Sequence, residues 1–467
     1  MGCRIHCCTD SNLSRRWAAC AYCGFGSRIL IVRRPSIIPK HEDSNGWWET
    51  LLPPTKANVL RETHHVQTAI IGAGICGLSV AHQLSKQCPN DDIAVIEAER
   101  AGNNASGRNA GFMLNVHSHG PPKKIDVLRR NMKLWLSGLE DLRRMVREFQ
   151  IDCDWDEYGR LYGSAGPDGE IHIAEIAETL DQLELEHSWF SREEMQSKIG
   201  TSFYKRGLHT PGSALVNPAA LMRGLARNLP ASVQLFEESP VLGIERSGGG
   251  FLIETAEGSM RADRVVLAAG VFLPQFGVAK NRFVSMATYA SLTAPLTDDE
   301  LSQMGSAESF GLLGSSEYGS TIRLTKDRRL FIRNVFEFAP GAPTSNANVV
   351  DISSMHRKAM QVRWPGLAET KFEHSWGGQM AFTNNNGTVF GEVETGLYAI
   401  LTNDVSPMTR GTAAGRLLAD FMTGQDSDLL SVQMSIPKAS RLPPRPILDI
   451  GVAARRGLLR LAARKEF

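Results

Sequence analysis

A chain of 467 residues with 42% hydrophobic and 22% charged content is long enough for two intertwined domains with sizeable cores. A net charge of +1 and a pI near 7.7 carry no nucleic-acid footprint. No run of eighteen apolar residues supplies an integral membrane segment.

The charge balance hides an asymmetry, because Met1 to Lys40 holds six Arg and one Lys against Asp10 alone. Five of the eight cysteines (Cys3, Cys7, Cys8, Cys20 and Cys23) crowd the same end, and Cys76, Cys88 and Cys153 are too scattered for a disulfide framework. A reducing, cytoplasmic compartment is expected. The Arg- and Ser-rich character of Ser11 to Lys40 also fits mitochondrial targeting, or a misassigned start codon. Cys20 and Cys23 have ligand spacing but no second pair at finger distance, so no metal site is expected. Residues 1–43 read as a disordered extension, and a chain starting at Ser44 is expected to keep its fold and its cofactor. Trp47 and Trp48, ahead of Pro53 and Pro54, read as an arm whose indoles pack on the body.

Val66 to Ile71 is an apolar, β-branched run that reads as a buried strand. Gly72, Ala73, Gly74, Ile75, Cys76 and Gly77 follow as GxGxxG. The first glycine allows a tight turn, the second admits a pyrophosphate, and the third lets helix pack on strand. A helix from Leu78 to Leu84 and a second strand from Ile93 to Ile96 complete a βαβ unit. Glu97, twenty residues past Gly77, stands where a carboxylate accepts both ribose hydroxyls, which argues against a 2′-phosphate. This unit alone leaves NAD and FAD open.

The continuation Glu97, Ala98, Glu99, Arg100 and then GNNASGRNAG, Gly102 to Gly111, resembles the FAD-dependent amine oxidases of the D-amino-acid oxidase superfamily. It is most similar to the glycine oxidase, sarcosine oxidase and gamma-glutamylputrescine oxidoreductase group. The resemblance implies FAD as cofactor, with Ala98, Arg100, Ser106, Gly107, Arg108, Asn109 and Gly111 as contacts. Small residues suit backbone amides facing phosphate, and Arg108 supplies a fork-shaped cation.

Further along, Ile125 to Phe149 repeats apolar residues at helical spacing and is expected to cover the nucleotide sheet. Ile171 to Leu185 repeats the pattern more faintly, and Pro218 to Leu229 is a helix entered by proline. Short strands follow at Val233 to Phe236, Val241 to Glu245, Phe251 to Thr255 and Val265 to Ala268. The resemblance places a backbone group of Val241 near the adenine, and Ala269 and Gly270 beside the cofactor.

Alternation at Ile322 to Thr325 and Leu330 to Phe336 predicts an antiparallel substrate sheet. The resemblance makes Tyr289, Arg323, Arg333 and Trp376 pocket candidates, although an exposed strand-face arginine is the commoner outcome. His374 reads as structural. Trp376, Gly377 and Gly378 match the family's tryptophan-glycine turn, and Leu397 to Leu401 is the strand returning to the nucleotide sheet.

The segment DVSPMTRG, Asp404 to Gly411, departs from the family's glycine-rich turn and leads into a helix over Thr412 to Phe421. Thr409, Arg410 and Gly411 are expected at the flavin, where a helix N-terminus favours negative charge. The tail, proline-rich then basic, ends in a helix from Ile447 to Ala463, expected against the FAD domain or else on a membrane surface.

The expected fold is α/β: a Rossmann-like FAD-binding domain interleaved with an antiparallel β-sheet substrate domain. The FAD domain takes residues 44–150, 216–280 and 381–436. A helical, substrate-side segment takes 151–215, the substrate domain 281–380, and the tail 437–467. The expected reaction is oxidation of a small-molecule amine or amino acid at its C–N bond to an imine, with oxygen or another electron acceptor. A flavin-dependent hydroxy-acid dehydrogenase and a non-catalytic dinucleotide-binding sensor are the alternatives, the second kept open by the altered DVSPMTRG segment.

Overall fold

The structure is a computed structural model that describes residues 33–41, 44–116, 124–305, 308–316, 318–339, 346–402 and 407–462. The zinc question at Cys20 and Cys23, and Asp404 to Ser406 of the altered segment, lie outside these residues.

The apolar half of Thr63–Ile71 sits at the centre of an eight-stranded sheet, between Ile93–Ile96 on one side and Ser259–Leu267 on the other, both parallel to it. Val233–Phe236 extends the sheet beyond Ile93–Ile96, and Leu397–Leu401 extends it beyond Ser259–Leu267. The strand order therefore reverses at Thr63–Ile71, which opens a crevice at its carboxyl end.

Alternation divides the two faces. Ile70, Val95, Val266 and Ile400 meet the helical layer, whereas Ala69, Ile71, Ile96 and Leu267 meet Phe251, Ile253, Leu273 and Phe276. The helices Ile75–Gln87 and Pro407–Met422 pack closely because Gly411 and Gly415 leave room: a Cβ on Gly415 would reach the Cys76 carbonyl and Ser79 Cβ. The long helix Ile125–Glu148 lies on Pro407–Met422, where Gly138 lets it approach the Thr409 carbonyl. It thus covers the sheet largely through Pro407–Met422, with Leu139, Leu142 and Met145 joining the same apolar cluster.

A second eight-stranded sheet runs in the order Phe372–Phe382, Val284–Thr293, Leu330–Phe338, Thr321–Leu324, Phe310–Gly314, Arg160–Ser164, Arg206–Thr210, Ser188–Phe190. Segments 151–215 and 281–380 accordingly share one sheet, joined by the parallel pairing of Phe310–Gly314 with Arg160–Ser164. One face is covered by Asn346–Arg363, a helix that the alternation around it had concealed. The other face meets the nucleotide domain through Trp47, Phe331 and Trp376.

Three further expectations change. Residues 33–41, assigned to a disordered extension, are bound to the nucleotide domain: Arg33 pairs its backbone with Ile244, and its side chain reaches Glu394 and the Phe276 carbonyl. The helix Pro407–Met422 begins five residues earlier than expected, because the fixed φ and missing N–H of Pro407 suit the first turn. The tail helix Ile447–Ala462 lies on the second sheet, not on the FAD domain. Its Val452 and Leu459 pack against the apolar cluster of Met286, Tyr318 and Phe336. Ile447, Ile450, Leu458 and Leu461 on that helix stay exposed.

Candidate active site

The crevice at the end of Thr63–Ile71 is shaped by glycine. Gly72 takes a left-handed φ of 107° and passes so near Ala268 that a side chain would meet its carbonyl oxygen. A Cβ on Gly77 would overlap the Gly72 carbonyl, so helix and turn are in direct contact there. Gly74 differs: its absent Cβ would have only the Ser106 hydroxyl as neighbour, at 3.2 Å, which leaves the approach to the helix N-terminus open. Ser106 Oγ accepts the Ile75 amide at 3.0 Å, joining the SGRN loop to that N-terminus.

Glu97 is buried and closes the crevice from the second strand. One carboxylate oxygen accepts the Ala73 amide at 2.8 Å, the other the Glu99 amide at 3.0 Å. Burial raises its carboxyl to about 6, while both amide bonds pull the other way. Its main chain also holds Ser239, which brings the Val241 segment alongside, with Val241 itself in the apolar cluster beneath.

The SGRN loop is fixed from several directions. Arg108 Nε donates to the Asn103 carbonyl at 2.7 Å and Nη1 to the Gly377 carbonyl at 2.9 Å, while Trp376 Nε1 donates to the Arg108 carbonyl at 3.0 Å. Asn109 turns its amide back onto the Ser106 carbonyl and accepts the Gly111 amide. Gly107 closes against Gly102, and Gly111 lies where a side chain would overlap Arg323 and the Val216 carbonyl. Arg100 is engaged elsewhere: its guanidinium bonds Glu237, Glu238 and the Thr55 carbonyl, so it anchors the loop base. Ala98 sits half-buried between Glu97 and that base.

On the opposite wall, Ala269 leads into the short helix Gly270–Phe276. Gly270 has a φ of 53° with open space beside it. Thr409, Arg410 and Gly411 form the first turn of Pro407–Met422. The Arg410 guanidinium lies 5.1 Å from the Trp135 ring, and Gly411 abuts Ile75 and Cys76. Burial pushes the Cys76 thiol up to about 12 against the pull of Arg410, so it stays protonated and is no nucleophile. Thr409 Oγ1 is buried with no partner among the described residues.

The four pocket candidates separate. Tyr289 faces away from the crevice, under Asn346–Arg363, with its hydroxyl on Glu337 at 2.9 Å. Arg323 is buried over Trp47, and its Nη1 donates at 2.8 Å to both Ala110 and Val216 carbonyls, so it braces the end of the SGRN loop. Trp376 is packed between Trp47 and Phe331 and positions Arg108. Of the two arginines, Arg333 makes no hydrogen bond through its guanidinium among the described residues. It lies over Phe336 at 4.9 Å, and Nη1 is buried with no acceptor among the described residues. Burial pushes it down to about 10, so it remains a cation at neutral pH. Register puts Arg333 opposite Ala290 and Thr288 opposite Gly378, the residue that touches Arg108, so both face the nucleotide domain. Thr288, which the sequence did not single out, has a buried hydroxyl without a partner among the described residues. His374 is half-buried beside Glu373.

The residues present fit FAD: a glycine turn with room at Gly74, a buried carboxylate at ribose spacing, open backbone at Gly270 and an unpaired hydroxyl on a helix N-terminus. No group of residues able to hold a metal occurs among the described residues, and no helix there is long and apolar enough to cross a membrane.

Residues 67–421 match the family described as FAD dependent oxidoreductase. A probable oxidoreductase, OrdL, of Rhizobium meliloti is 26% identical over 403 residues, 84% of this chain and 91% of its own. Gamma-glutamylputrescine oxidoreductase of Escherichia coli is 23% identical over 400 residues, 81% of this chain and 88% of its own. The crystal structure of glycine oxidase from Geobacillus kaustophilus superposes with a TM-score of 0.67 at 17% identity, covering 82% of this chain and 100% of that one. A crevice built for a dinucleotide, on a fold shared with these oxidases, has its explanation in that match: the chain belongs to the FAD dependent oxidoreductase family and is an FAD-dependent enzyme.

Proposed function

We propose that this enzyme oxidises the C–N bond of an amino acid, or of another amine that carries a carboxylate, to an imine that water hydrolyses to a carbonyl compound and the released amine or ammonia. The observation that carries this reading is Arg333, a half-buried cation on the face of the second sheet that meets the SGRN loop, whose buried Nη1 has no acceptor among the described residues. A buried charge without a partner is costly, and a ligand carboxylate repays that cost by a bidentate, charge-assisted contact.

Arg333 would hold the carboxylate, and the Thr288 hydroxyl on the neighbouring strand would accept or donate one further hydrogen bond to the same substrate. FAD, when bound, takes the hydride from the substrate carbon. The packed Trp47, Phe331 and Trp376 exclude water from one side of the site, and Arg108 fixes the loop against the sheet. Arg410 and the helix N-terminus behind it would stabilise the negative charge that develops on the cofactor. Relatives named for glycine and for gamma-glutamylputrescine support a C–N substrate.

The test is the visible spectrum of the purified protein under nitrogen while amines, amino acids and hydroxy acids are added in turn. Bleaching by amino acids, with a weaker response from the matching amines that lack a carboxylate, supports the proposal. Bleaching by hydroxy acids alone replaces it with hydroxy-acid oxidation, and a protein that holds its dinucleotide but bleaches with none is a sensor.

A further inference from the structure

We propose that the arm formed by residues 33–41 and 44–50, which precedes the family-matched region, is part of the FAD site: it straps the loop Glu97 to Gly111 closed and governs how long the cofactor stays bound. Its contacts follow one line. Arg33 is tied to Ile244, and Ser36 donates its amide and hydroxyl to Gln275 at 3.1 and 2.9 Å. Five residues later His41 is on Glu99, and then Asn45 donates to both the Gly102 carbonyl at 3.3 Å and the Gly107 carbonyl at 3.2 Å. Trp47 Nε1 closes the line on the Asn109 carbonyl at 2.9 Å.

Gln275 belongs to the helix that leaves Ser259–Leu267, and Glu99 follows Ile93–Ile96. These two strands flank Thr63–Ile71 in the sheet, so the arm joins the two walls of the crevice that opens at the end of that central strand. Asn45 grips both ends of the tight turn between Gly102 and Gly107, where the SGRN segment begins, and it is buried.

Glu99 explains why the arm matters to an anionic ligand. It lies two residues from the ribose-binding Glu97, near Arg108, and its charge already opposes that of Glu97. His41 occupies both its oxygens, the backbone amide on Oε1 at 2.9 Å and Nδ1 on Oε2 at 2.7 Å. Those bonds hold the carboxylate on the arm and, against the opposing effect of burial, keep it below the ordinary carboxylate range. Without them an untethered carboxylate would be left near Glu97, adding negative charge at a site meant for an anionic ligand, and like charges repel. His41 and Asn45 are therefore positioning residues that act through Glu99 and through the loop carbonyls.

The experiment uses the full chain with His41→Ala, His41→Gln and Asn45→Ala, each measured with bound FAD and after its removal. Release is followed by the rise in flavin fluorescence on dilution, a readout that needs no substrate and is independent of which amine is oxidised. His41→Ala and Asn45→Ala should release FAD about tenfold faster or more, equivalent to about 1.4 kcal/mol. His41→Gln, which keeps the backbone donor and a side-chain donor, should lie between them and wild type. The thermal midpoint of the FAD-free protein should not move in the His41 variants, and in Asn45→Ala it should fall by less than the faster release implies, because two buried hydrogen bonds are lost there as well. A wild-type release rate in both alanine variants overturns the proposal, and so does a fall in the FAD-free midpoint that matches the faster release, because the arm would then serve the fold alone.

Discussion

Glu97 accepts the Ala73 amide at 2.8 Å, so the end of the second strand is bonded directly into the glycine turn that ends the first. With FAD bound as the fold implies, the contact would set the ribose and pyrophosphate positions at a fixed separation and make cofactor binding sensitive to the charge of one buried carboxyl.

That sensitivity has a sign. Burial lifts Glu97 from an ordinary 4.5 to about 6, so between those values the folded, FAD-free protein binds more protons than the unfolded chain. Its stability falls as pH rises through the window, by about 2 kcal/mol. FAD affinity should run the other way, rising from pH 4.5 to above 6, because only the carboxylate accepts both ribose hydroxyls. Glu97→Gln should flatten both profiles and weaken FAD by about 1–3 kcal/mol. Titration calorimetry across the range, with wild type and variant, checks it; parallel profiles would detach Glu97 from the ribose.

Gly74→Val and Gly77→Ala should fail differently. At Gly74 a side chain meets only the Ser106 hydroxyl, so the variant should fold yet lose FAD because the pyrophosphate's approach is filled. At Gly77 even a methyl overlaps the Gly72 carbonyl, so Gly77→Ala should lose about 3 kcal/mol or more of stability. Circular dichroism melts and flavin content of both purified variants separate the two outcomes. A yellow Gly74→Val protein would contradict the assignment.

Arg333→Met removes a half-buried cation whose Nη1 has no acceptor among the described residues, so the substrate-free protein should gain up to about 1 kcal/mol of stability. Apparent affinity for carboxylate substrates should drop by about 2 kcal/mol, a charge-assisted hydrogen bond's worth, with little change for amines lacking the carboxylate. Stopped-flow reduction over a substrate series reads this directly. Equal losses for both classes would mean that Arg333 does not meet the carboxylate.

Arg410 stands in the first turn of Pro407–Met422, with its guanidinium over Trp135 and its charge felt at Cys76. A cation there favours the negative charge that the cofactor gains on reduction. Arg410→Met should lower the reduction potential by about 30 mV for each tenfold loss in the equilibrium constant, several tens of millivolts in all. Anaerobic redox titration of a variant with normal FAD content measures it. An unchanged potential would remove Arg410 from the flavin site.

The sequence by itself determined the nucleotide crevice. Gly72, Gly74, Gly77 and Glu97 act through turn geometry, close approach and a helix N-terminus, all of which span a few residues or one βαβ unit and so are written at fixed spacing. Pro407 carried the same kind of local information, and reading the helix from Thr412 overlooked it. What only the tertiary structure decided is which polar side chains are satisfied. Arg323 and Arg333 lie on alternating strands of similar character, yet Arg323 is taken by carbonyls 107 and 213 residues away in the chain, while Arg333 is left facing the cleft. Tyr289 turned away because the concealed helix Asn346–Arg363 buries the opposite face of its strand. The role of residues 33–41 and 44–50 was hidden for the same reason. Their hydrogen bonds go to main-chain carbonyls and to the side chains of Glu99, Gln275 and Glu394, all distant in the chain, and such partners leave no periodicity or motif in the arm itself.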